Sequence, residues 1–191
     1  MATNEPQHVT QSIATQLRMV RKSKGLSLDK TAGLTGVSKA MLGQIERGES
    51  SPTIATLWKI ATGLKCSFSS FLTGARPPQL VSKHTVEDQF TNDPNMKVKT
   101  LFGYNVQTGF EVFELRLTDF HEQHSTAHQV GVTEHIHVTK GKLSVLEGET
   151  WREYNQGEQC LLYADQPHGY RDEVGETHFI AVIHYPQARL D

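Results

Sequence analysis

The sequence predicts an α+β protein of two domains, an all-α N-terminal domain and an all-β C-terminal domain. Apolar residues recur every three or four positions at first, and short β-prone runs between turns follow. Gly74-Ala-Arg-Pro-Pro78 separates the two patterns, because proline ends helices and extends the preceding residue. Up to Gly74, nine Lys and Arg stand against four Asp and Glu; beyond it, ten stand against seventeen. We therefore predict a helical domain over 8–74, a linker over 75–82 and a β domain over 83–191.

Five short helices are predicted in the N-terminal domain. Ile13 and Leu17 begin the apolar side of the first helix, and the second, over 28–35, is expected to pack through Ala32 and Leu34. Capping residues and a proline mark where the later helices begin. The residues predicted to open the second to fifth helices are, in order, Ser27, Ser38, Pro52 with Thr53, and Ser67.

The second and third helices are joined by a tight turn at Gly36, a geometry that presents the latter helix to the major groove of DNA. The segment Ser27–Ala61, SLDKTAGLTGVSKAMLGQIERGESSPTIATLWKIA, closely resembles the Cro/phage-repressor (XRE) family of helix-turn-helix proteins. The matching residues are Ala32, Gly36, Val37, Ser38, Leu42, Ile45, Glu46, Arg47, Gly48, Pro52, Thr53 and Leu57. The resemblance implies a DNA-binding domain over roughly residues 10–72.

The resemblance also implies which side chains contact DNA. These are Ser38, Lys39, Ala40, Gln44 and Arg47, on and beside the third helix. The amide of Gln44 suits a bidentate hydrogen bond with adenine, and Lys39 suits guanine or a phosphate. Arg47 suits the DNA backbone, where contacts position the protein without reading sequence.

Two further residues of this helix are interpreted differently. Glu46, beside an arginine, is expected to be a structural anchor rather than a reader of cytosine. Gly43 lies in the middle of the helix, where glycine costs about 1 kcal/mol relative to alanine. It either permits a close approach to DNA or is simply tolerated.

The C-terminal domain is predicted to consist of short strands separated by turns. The predicted strands are Lys97–Phe102, Phe110–Leu117, Glu134–Thr139, Lys142–Leu146, Gln159–Tyr163 and His178–Tyr185. Many short strands of this kind indicate a sandwich or a barrel.

Histidines are concentrated in the stretch Ala127–Gly141, AHQVGVTEHIHVTKG, which holds three of them and a glutamate. This stretch and Gly157–His168, GEQCLLYADQPH, resemble the two motifs of the cupin family. Six residues separate Glu134 from Gly141, as in the first motif, and the second segment ends in the expected Pro-His pair. The resemblance implies a double-stranded β-helix, a jelly-roll barrel in which both motifs line one cavity.

Strand alternation distinguishes between the histidines of this stretch. If Glu134 faces the interior of the barrel, His135 and His137 face the opposite side. The resemblance then implies that His128, Glu134 and His168 converge on a divalent metal. Two imidazoles and a carboxylate suit Fe(II) and are acceptable to Zn(II), Ni(II) or Mn(II).

The sequence departs from the cupin pattern at one ligand. The first histidine of the family's motif corresponds to Thr126, so the usual set of four ligands lacks one member. His124 or His121 is a candidate to replace it. A small molecule completing the shell and the loss of the metal are the alternatives. No organic cofactor is expected.

Both resemblances together imply a bacterial transcriptional regulator of the XRE–cupin type. It would bind a double-stranded, pseudo-palindromic operator as a homodimer formed through the cupin domain. A small-molecule effector in the cupin cavity would change operator affinity. Metal chemistry suggests the hypothesis that the effector carries carboxylate, amine or thioether groups, as an amino acid does.

The alternative function is that of a non-haem metal-dependent enzyme, similar to an epoxidase or oxygenase, that carries a helix-turn-helix domain. The basic first domain favours the regulator.

The remaining sequence features indicate a cytoplasmic protein. Cys66 and Cys160, one in each half, show no disulfide or zinc-knuckle spacing. The first residues have no apolar segment typical of a signal peptide, and no apolar run is long enough to cross a bilayer.

Overall fold

The structure is a computed structural model that describes residues 5–73 and 94–186, with the side chains of 5–8 excluded. Contacts divide the chain into two compact units, one helical and one of β-strands. The predicted linker, 75–82, lies outside the described residues, as does Gly74-Ala-Arg-Pro-Pro78. None of the described helices is long and apolar enough to span a lipid bilayer.

The helical unit contains the five predicted helices in the described part of the chain. They are α1 Glu5–Ser23, α2 Leu28–Thr35, α3 Lys39–Glu46, α4 Ile54–Gly63 and α5 Ser69–Thr73. The hydroxyls of Ser27, Ser38 and Thr53 accept hydrogen bonds from main-chain amides in the first turns of α2, α3 and α4. Helix α5 begins at Ser69, and the carbonyl oxygen of Ser67 accepts hydrogen bonds from the amide and hydroxyl of Ser70.

The predicted packing of α2 is wrong in one respect. Leu34 is 55% exposed, whereas Thr31 and Thr35 are buried. Each threonine hydroxyl donates a hydrogen bond to the carbonyl oxygen four residues earlier, at 2.9 Å in both cases. These bonds satisfy the hydroxyls inside the helix, so the two threonines enter the core without an unpaired polar group.

The core of the helical unit is apolar and fully enclosed. Its apolar members from α1, α3 and α4 include Ile13, Leu17, Leu42, Ile45, Ile54, Leu57 and Ile60. Phe68, directly before α5, is fully buried and stacks on Trp58 with ring centroids 4.3 Å apart. Burial of each large aliphatic side chain contributes about 1.5–3 kcal/mol.

The β unit consists of nine strands among the described residues. They are β1 Met96–Asn105, β2 Phe110–Thr118, β3 Glu122–Ser125, β4 Thr133–Lys140, β5 Lys142–Glu147, β6 Thr150–Asn155, β7 Gln159–Tyr163, β8 His168–Asp172 and β9 Glu176–His184. All six predicted strands are present. The predictions missed β3, β6 and β8, which are short and polar and show no run of β-prone residues.

The strands form two antiparallel sheets, as expected for a jelly roll. One sheet has the order β1-β2-β9-β4-β7 and the other β3-β8-β5-β6. Hydrogen bonds do not join the described strands into one closed barrel, so the domain is a two-sheet jelly roll rather than a continuous cylinder. Apolar side chains from both inner faces, such as Phe113, Phe179, Ile136 and Val145, fill the space between the sheets.

Helices α2 and α4 approach closely, and this contact generates the first prediction. A β-carbon on Gly63 would lie 2.4 Å from the carbonyl oxygen of Leu34 and 2.7 Å from the Cα atom of Thr35. Both obstacles are main-chain atoms, so relief requires the helices to separate. We expect Gly63→Ala to destabilise the helical unit by about 1–3 kcal/mol, measured as a lower thermal midpoint by circular dichroism.

Gly33, on the exposed side of α2, supplies the matched control. A β-carbon there meets no atom within 4 Å, so Gly33→Ala should stabilise the unit by about 1 kcal/mol through helix propensity alone. Equal changes of the thermal midpoint in Gly63→Ala and Gly33→Ala would contradict a steric clash between α4 and α2 as the cause.

Candidate metal centre and DNA-binding surface

The exposed side of α3 carries the side chains predicted to contact DNA. Gly36 ends α2 in the left-handed conformation with φ of 66°, which lets the chain turn into α3. Leu42 and Ile45 face the core. The five predicted DNA-contacting residues, Ser38, Lys39, Ala40, Gln44 and Arg47, are all exposed. The hydroxyl of Ser38 is occupied in capping the helix.

A buried ion pair fixes α3 to α1. The guanidinium of Arg21 donates to both carboxylate oxygens of Glu46, at 2.6 and 2.8 Å, and its third nitrogen donates to the carbonyl oxygen of Leu26 at 2.8 Å. The Glu46 side chain is 8% exposed and that of Arg21 is 14% exposed. The expectation that Glu46 is a structural anchor is confirmed.

The cations of the exposed surface have weaker partners. Lys39 forms an ion pair with Asp29 at 2.8 Å, and Arg47 forms a bidentate pair with Glu49 at 2.7 Å. All four side chains are more than half exposed. Exposed ion pairs stabilise proteins by about 0.2–1 kcal/mol, so phosphate oxygens can replace these carboxylates at little cost.

Strand β4 separates the histidines as predicted. Glu134 is buried, whereas His135 and His137 lie on the exposed outer side of the sheet. The pairs Glu134–Leu162 with β7 and Glu134–Ile183 with β9 fix this register from both sides. The adjacent histidine pair is therefore directed away from the interior of the β unit.

His128, Glu134 and His168 come together inside the β unit. Oε1 of Glu134 lies 3.2 Å from Nε2 of His128 and 3.6 Å from Nε2 of His168. One ligand atom from each residue lies within 4.8 Å of the others, and all three side chains are buried. Within the described part of the chain, this is the group of His, Cys, Asp and Glu residues whose geometry suits a metal ion.

One hydrogen bond orients the imidazole of His168, and another holds the main chain at His128. Nδ1 of His168 lies 2.9 Å from the carbonyl oxygen of Gln166 and must donate, which leaves the lone pair of Nε2 directed toward Glu134. The main-chain amide of His128 donates to the carbonyl oxygen of Ala164 at 2.8 Å and holds the loop before β4. Two imidazole nitrogens and one carboxylate oxygen form a donor set that fits a divalent transition metal.

Tyr170 is a member of this group that the sequence interpretation missed. Its hydroxyl donates a hydrogen bond to Oε2 of Glu134. One feature of the sequence could have identified it: Tyr170 lies two residues after His168, so both side chains face the same side of β8.

Electrostatics favour the protonation states that Glu134 and His168 need as metal ligands. Burial raises the pKa of Glu134, but the hydrogen bond from His128, the charges of both histidines and the Tyr170 hydroxyl lower it below its ordinary value. Burial lowers the pKa of His168 despite the charge of Glu134. Burial and that same charge raise the pKa of Tyr170 well above its ordinary value. At neutral pH the group therefore has an ionised carboxylate, a neutral His168 and a protonated tyrosine.

The structure does not bring the further candidates, His124 and His121, to this group. On β3, Gln123 is the buried residue, so His124 points outward, is 60% exposed and contacts Glu122 at 2.6 Å. His121 precedes the strand, and neither histidine belongs to the three-residue group. Strand alternation on β3 is the reason that His124 was a wrong candidate.

Known proteins match most of the length of this chain. The helix-turn-helix family model HTH_3 matches residues 17–71. The HTH-type transcriptional regulator SutR of Escherichia coli (strain K12) is 42% identical over 183 residues, which are 95% of this chain and 99% of that protein. The chain belongs to the XRE-type helix-turn-helix transcriptional regulators.

Solved structures of such regulators are similar as well. An HTH_3 family transcriptional regulator from Vibrio cholerae is 53% identical, with a TM-score of 0.86 over 95% of this chain and 99% of that one. The Cupin_2 domain of an XRE family transcriptional regulator from Enterobacter cloacae is 33% identical, with a TM-score of 0.47 over 49% of this chain and 99% of that one. This XRE-type regulator thus consists of a helix-turn-helix unit followed by a jelly-roll unit of two antiparallel sheets.

Proposed function

We propose that this regulator binds a specific DNA operator in the cytoplasm and that its cupin-like unit binds a small effector at a metal site. The exposed face of α3, with Lys39 and Gln44 on it and Arg47 directly after it, is backed by the buried Arg21–Glu46 pair and is the observation that carries the proposal. The positive balance of the N-terminal sequence supports it, because phosphate neutralisation dominates the affinity of proteins for DNA.

The DNA contacts divide into two kinds in this proposal. Gln44 is exposed between the buried Leu42 and Ile45, and its amide reads an adenine edge. Arg47 and Lys39 contact phosphates or, for Lys39, guanine. Ala40 leaves room for close approach, and the Ser38 cap orients the helix N-terminus toward the groove.

The effector site in this proposal is the buried group of His128, Glu134 and His168. These residues would hold a divalent ion through two imidazole nitrogens and one carboxylate oxygen. Such an ion supplies open coordination positions for carboxylate or amine groups of a small molecule, such as an amino acid. The residues themselves exclude water, since each is at least 90% buried. Zinc, iron, nickel and manganese all suit this donor set.

A metal-dependent enzyme is the second candidate function. The three-residue group, with open positions for an ion, favours it, because non-haem iron oxygenases use two histidines and one carboxylate. The relatives from Escherichia coli and Vibrio cholerae, 42% and 53% identical, are named as transcriptional regulators. A salt-dependent preference for one operator is expected of the regulator alone.

We further propose that the regulator is a homodimer formed through the outer face of the β1-β2-β9-β4-β7 sheet. A dimer presents two copies of α3 to half-sites about 34–36 Å apart. The central strand β9 presents Ile180 and Val182 outward, and Val182 pairs across the sheet with Val112 on β2 and His135 on β4. A mainly apolar groove follows this row and continues to Leu161, which is 44% exposed.

The area of this face suits self-association. Five strands about 4.8 Å apart and about nine residues long cover on the order of 700 Å². One partner of a stable interface contributes about 800 Å². A two-fold axis near the central strand would pair the same face of both copies, as isologous dimers require.

The first test concerns DNA recognition by the full chain. Genomic fragments enriched by the wild-type regulator should bind it more tightly than random DNA, with an affinity that falls as salt rises. We expect Gln44→Ala to lose about 1–3 kcal/mol of preference for the enriched site and to bind random DNA unchanged. Arg47→Ala should weaken both and reduce the salt slope by about one, measured by fluorescence anisotropy.

Lys59→Ala removes an exposed cation from α4 and serves as the control, which should bind like the wild type. A wild-type chain with no preference among fragments, with or without candidate metabolites, would contradict the proposed function.

The second test separates the buried histidines from the exposed pair. We expect chelator-treated wild-type protein to bind Co(II) or Zn(II) in calorimetric titrations and His128→Ala to lose about 100-fold or more in affinity, because it removes a ligand. His137→Ala, in the conspicuous exposed pair, should keep wild-type affinity. If His137→Ala lost metal affinity and His128→Ala kept it, the metal site would lie on the outer face of the sheet instead.

The third test concerns the dimer. Val182→Glu places a charge in the centre of the proposed interface, and we expect a shift from dimer to monomer in sedimentation velocity, because an unpaired buried charge costs several kcal/mol. Val130→Glu makes the same change where valine is 88% exposed and should remain dimeric. A folded, dimeric Val182→Glu would show that the interface lies elsewhere.

A further inference from the structure

The two carboxylate oxygens of Glu134 have different partners inside the β unit. Oε1 faces Nε2 of His128 at 3.2 Å and Nε2 of His168 at 3.6 Å. Oε2 accepts the hydrogen bond from the hydroxyl of Tyr170. The carboxylate is therefore held with one oxygen toward the histidines and the other turned away from them.

We propose that Tyr170 is the positioning residue of the metal group, holding Oε2 of Glu134 so that the carboxylate presents Oε1 alone to an ion. This proposal rests on the proposed metal site. One-oxygen ligation gives three protein donors and leaves open positions for an effector. A carboxylate released from Tyr170 could ligate through both oxygens and occupy one of those positions.

Packing prevents the Tyr170 ring from moving away from Glu134. The residue is 4% exposed. Its ring contacts Phe179 with centroids 5.2 Å apart and His168 with centroids 6.1 Å apart. Tyr170 also pairs with Gln123 of β3 and Val145 of β5 in the middle of its sheet. A buried ring fixed by these contacts keeps its hydroxyl on Oε2 and so limits the rotation of the carboxylate.

Tyr170 and Glu134 belong to opposite sheets of the β unit. Glu134 belongs to the five-stranded sheet, whereas Tyr170 and His168 belong to the four-stranded sheet. The Tyr170–Glu134 hydrogen bond therefore crosses the core between the sheets. Outer partners that orient a ligand commonly change metal affinity by about 10–100-fold when removed.

The test uses full-length, chelator-treated protein with Co(II) as the probe. Affinity is measured by competition with a chromophoric chelator, and the coordination is monitored by visible absorption, whose intensity falls as coordination number rises. We expect Tyr170→Phe to bind Co(II) about 10–100-fold more weakly than the wild type. We also expect weaker, displaced absorption bands, because the released carboxylate supplies a second oxygen.

Tyr154→Phe is the matched control. Its hydroxyl interacts with Cys160 and not with the metal group, so its affinity and spectrum should equal those of the wild type. A 3-fluorotyrosine at position 170 keeps the hydroxyl and should restore binding. This second variant also tests the proposal if Tyr170→Phe does not fold.

Three results would overturn the proposal. Wild-type affinity and spectrum in Tyr170→Phe would show that the hydroxyl is not needed. Weaker binding with an unchanged spectrum would assign the loss to packing. Absence of Co(II) binding by the wild type would remove the metal site together with this role of Tyr170, whereas DNA recognition by α3 is tested separately and would stand.

Discussion

The pairing register of β4 is the constraint on which the candidate effector site depends. Alternation puts Glu134, Ile136 and Val138 on the inner face and His135 and His137 on the outer one. A slip of one residue would exchange the two sets completely. Burial of Ile136 and Val138, at 1% and 0% exposure, opposes such a slip, because it would transfer both side chains to water.

Because the register fixes Glu134, the remaining members of the group follow from the two-sheet architecture. Glu134 is supplied by one sheet, and His168 and Tyr170 are supplied by the other. His128 lies in the loop before β4, held by its main-chain bond to Ala164. A buried carboxylate between sheets is unfavourable unless it is hydrogen-bonded. The imidazole and tyrosine partners satisfy this requirement, and an ion at the same place would link the two sheets.

Local patterns in the sequence predicted much of this fold, and non-local ones account for the misses. Helix caps and strand alternation involve neighbours in sequence, which is why Ser38 and the outward His135 were predicted. Tyr170 was missed, because its role depends on a glutamate 36 residues away in the opposite sheet. Strand β6 was missed because its polar residues show no apolar alternation, and its place comes from pairing with β5. Thr31 is the exception, because its cause is local: its hydroxyl donates a hydrogen bond to the carbonyl oxygen of Ser27, which allows the side chain to be buried.

The two ion-pair environments of the helical unit explain how one helix is both rigid and available for DNA. The Arg21–Glu46 pair is mostly buried and bidentate, so breaking it leaves a charge without compensation and α3 stays fixed to α1. Lys39 and Arg47 are paired only at the surface, where water and salt screen the attraction. In the proposed complex with DNA, phosphates would displace Asp29 and Glu49 without disturbing the anchor. The burial of each ion pair, rather than the number of charges, distinguishes Arg21, which is structural, from Lys39 and Arg47, which are proposed to contact DNA.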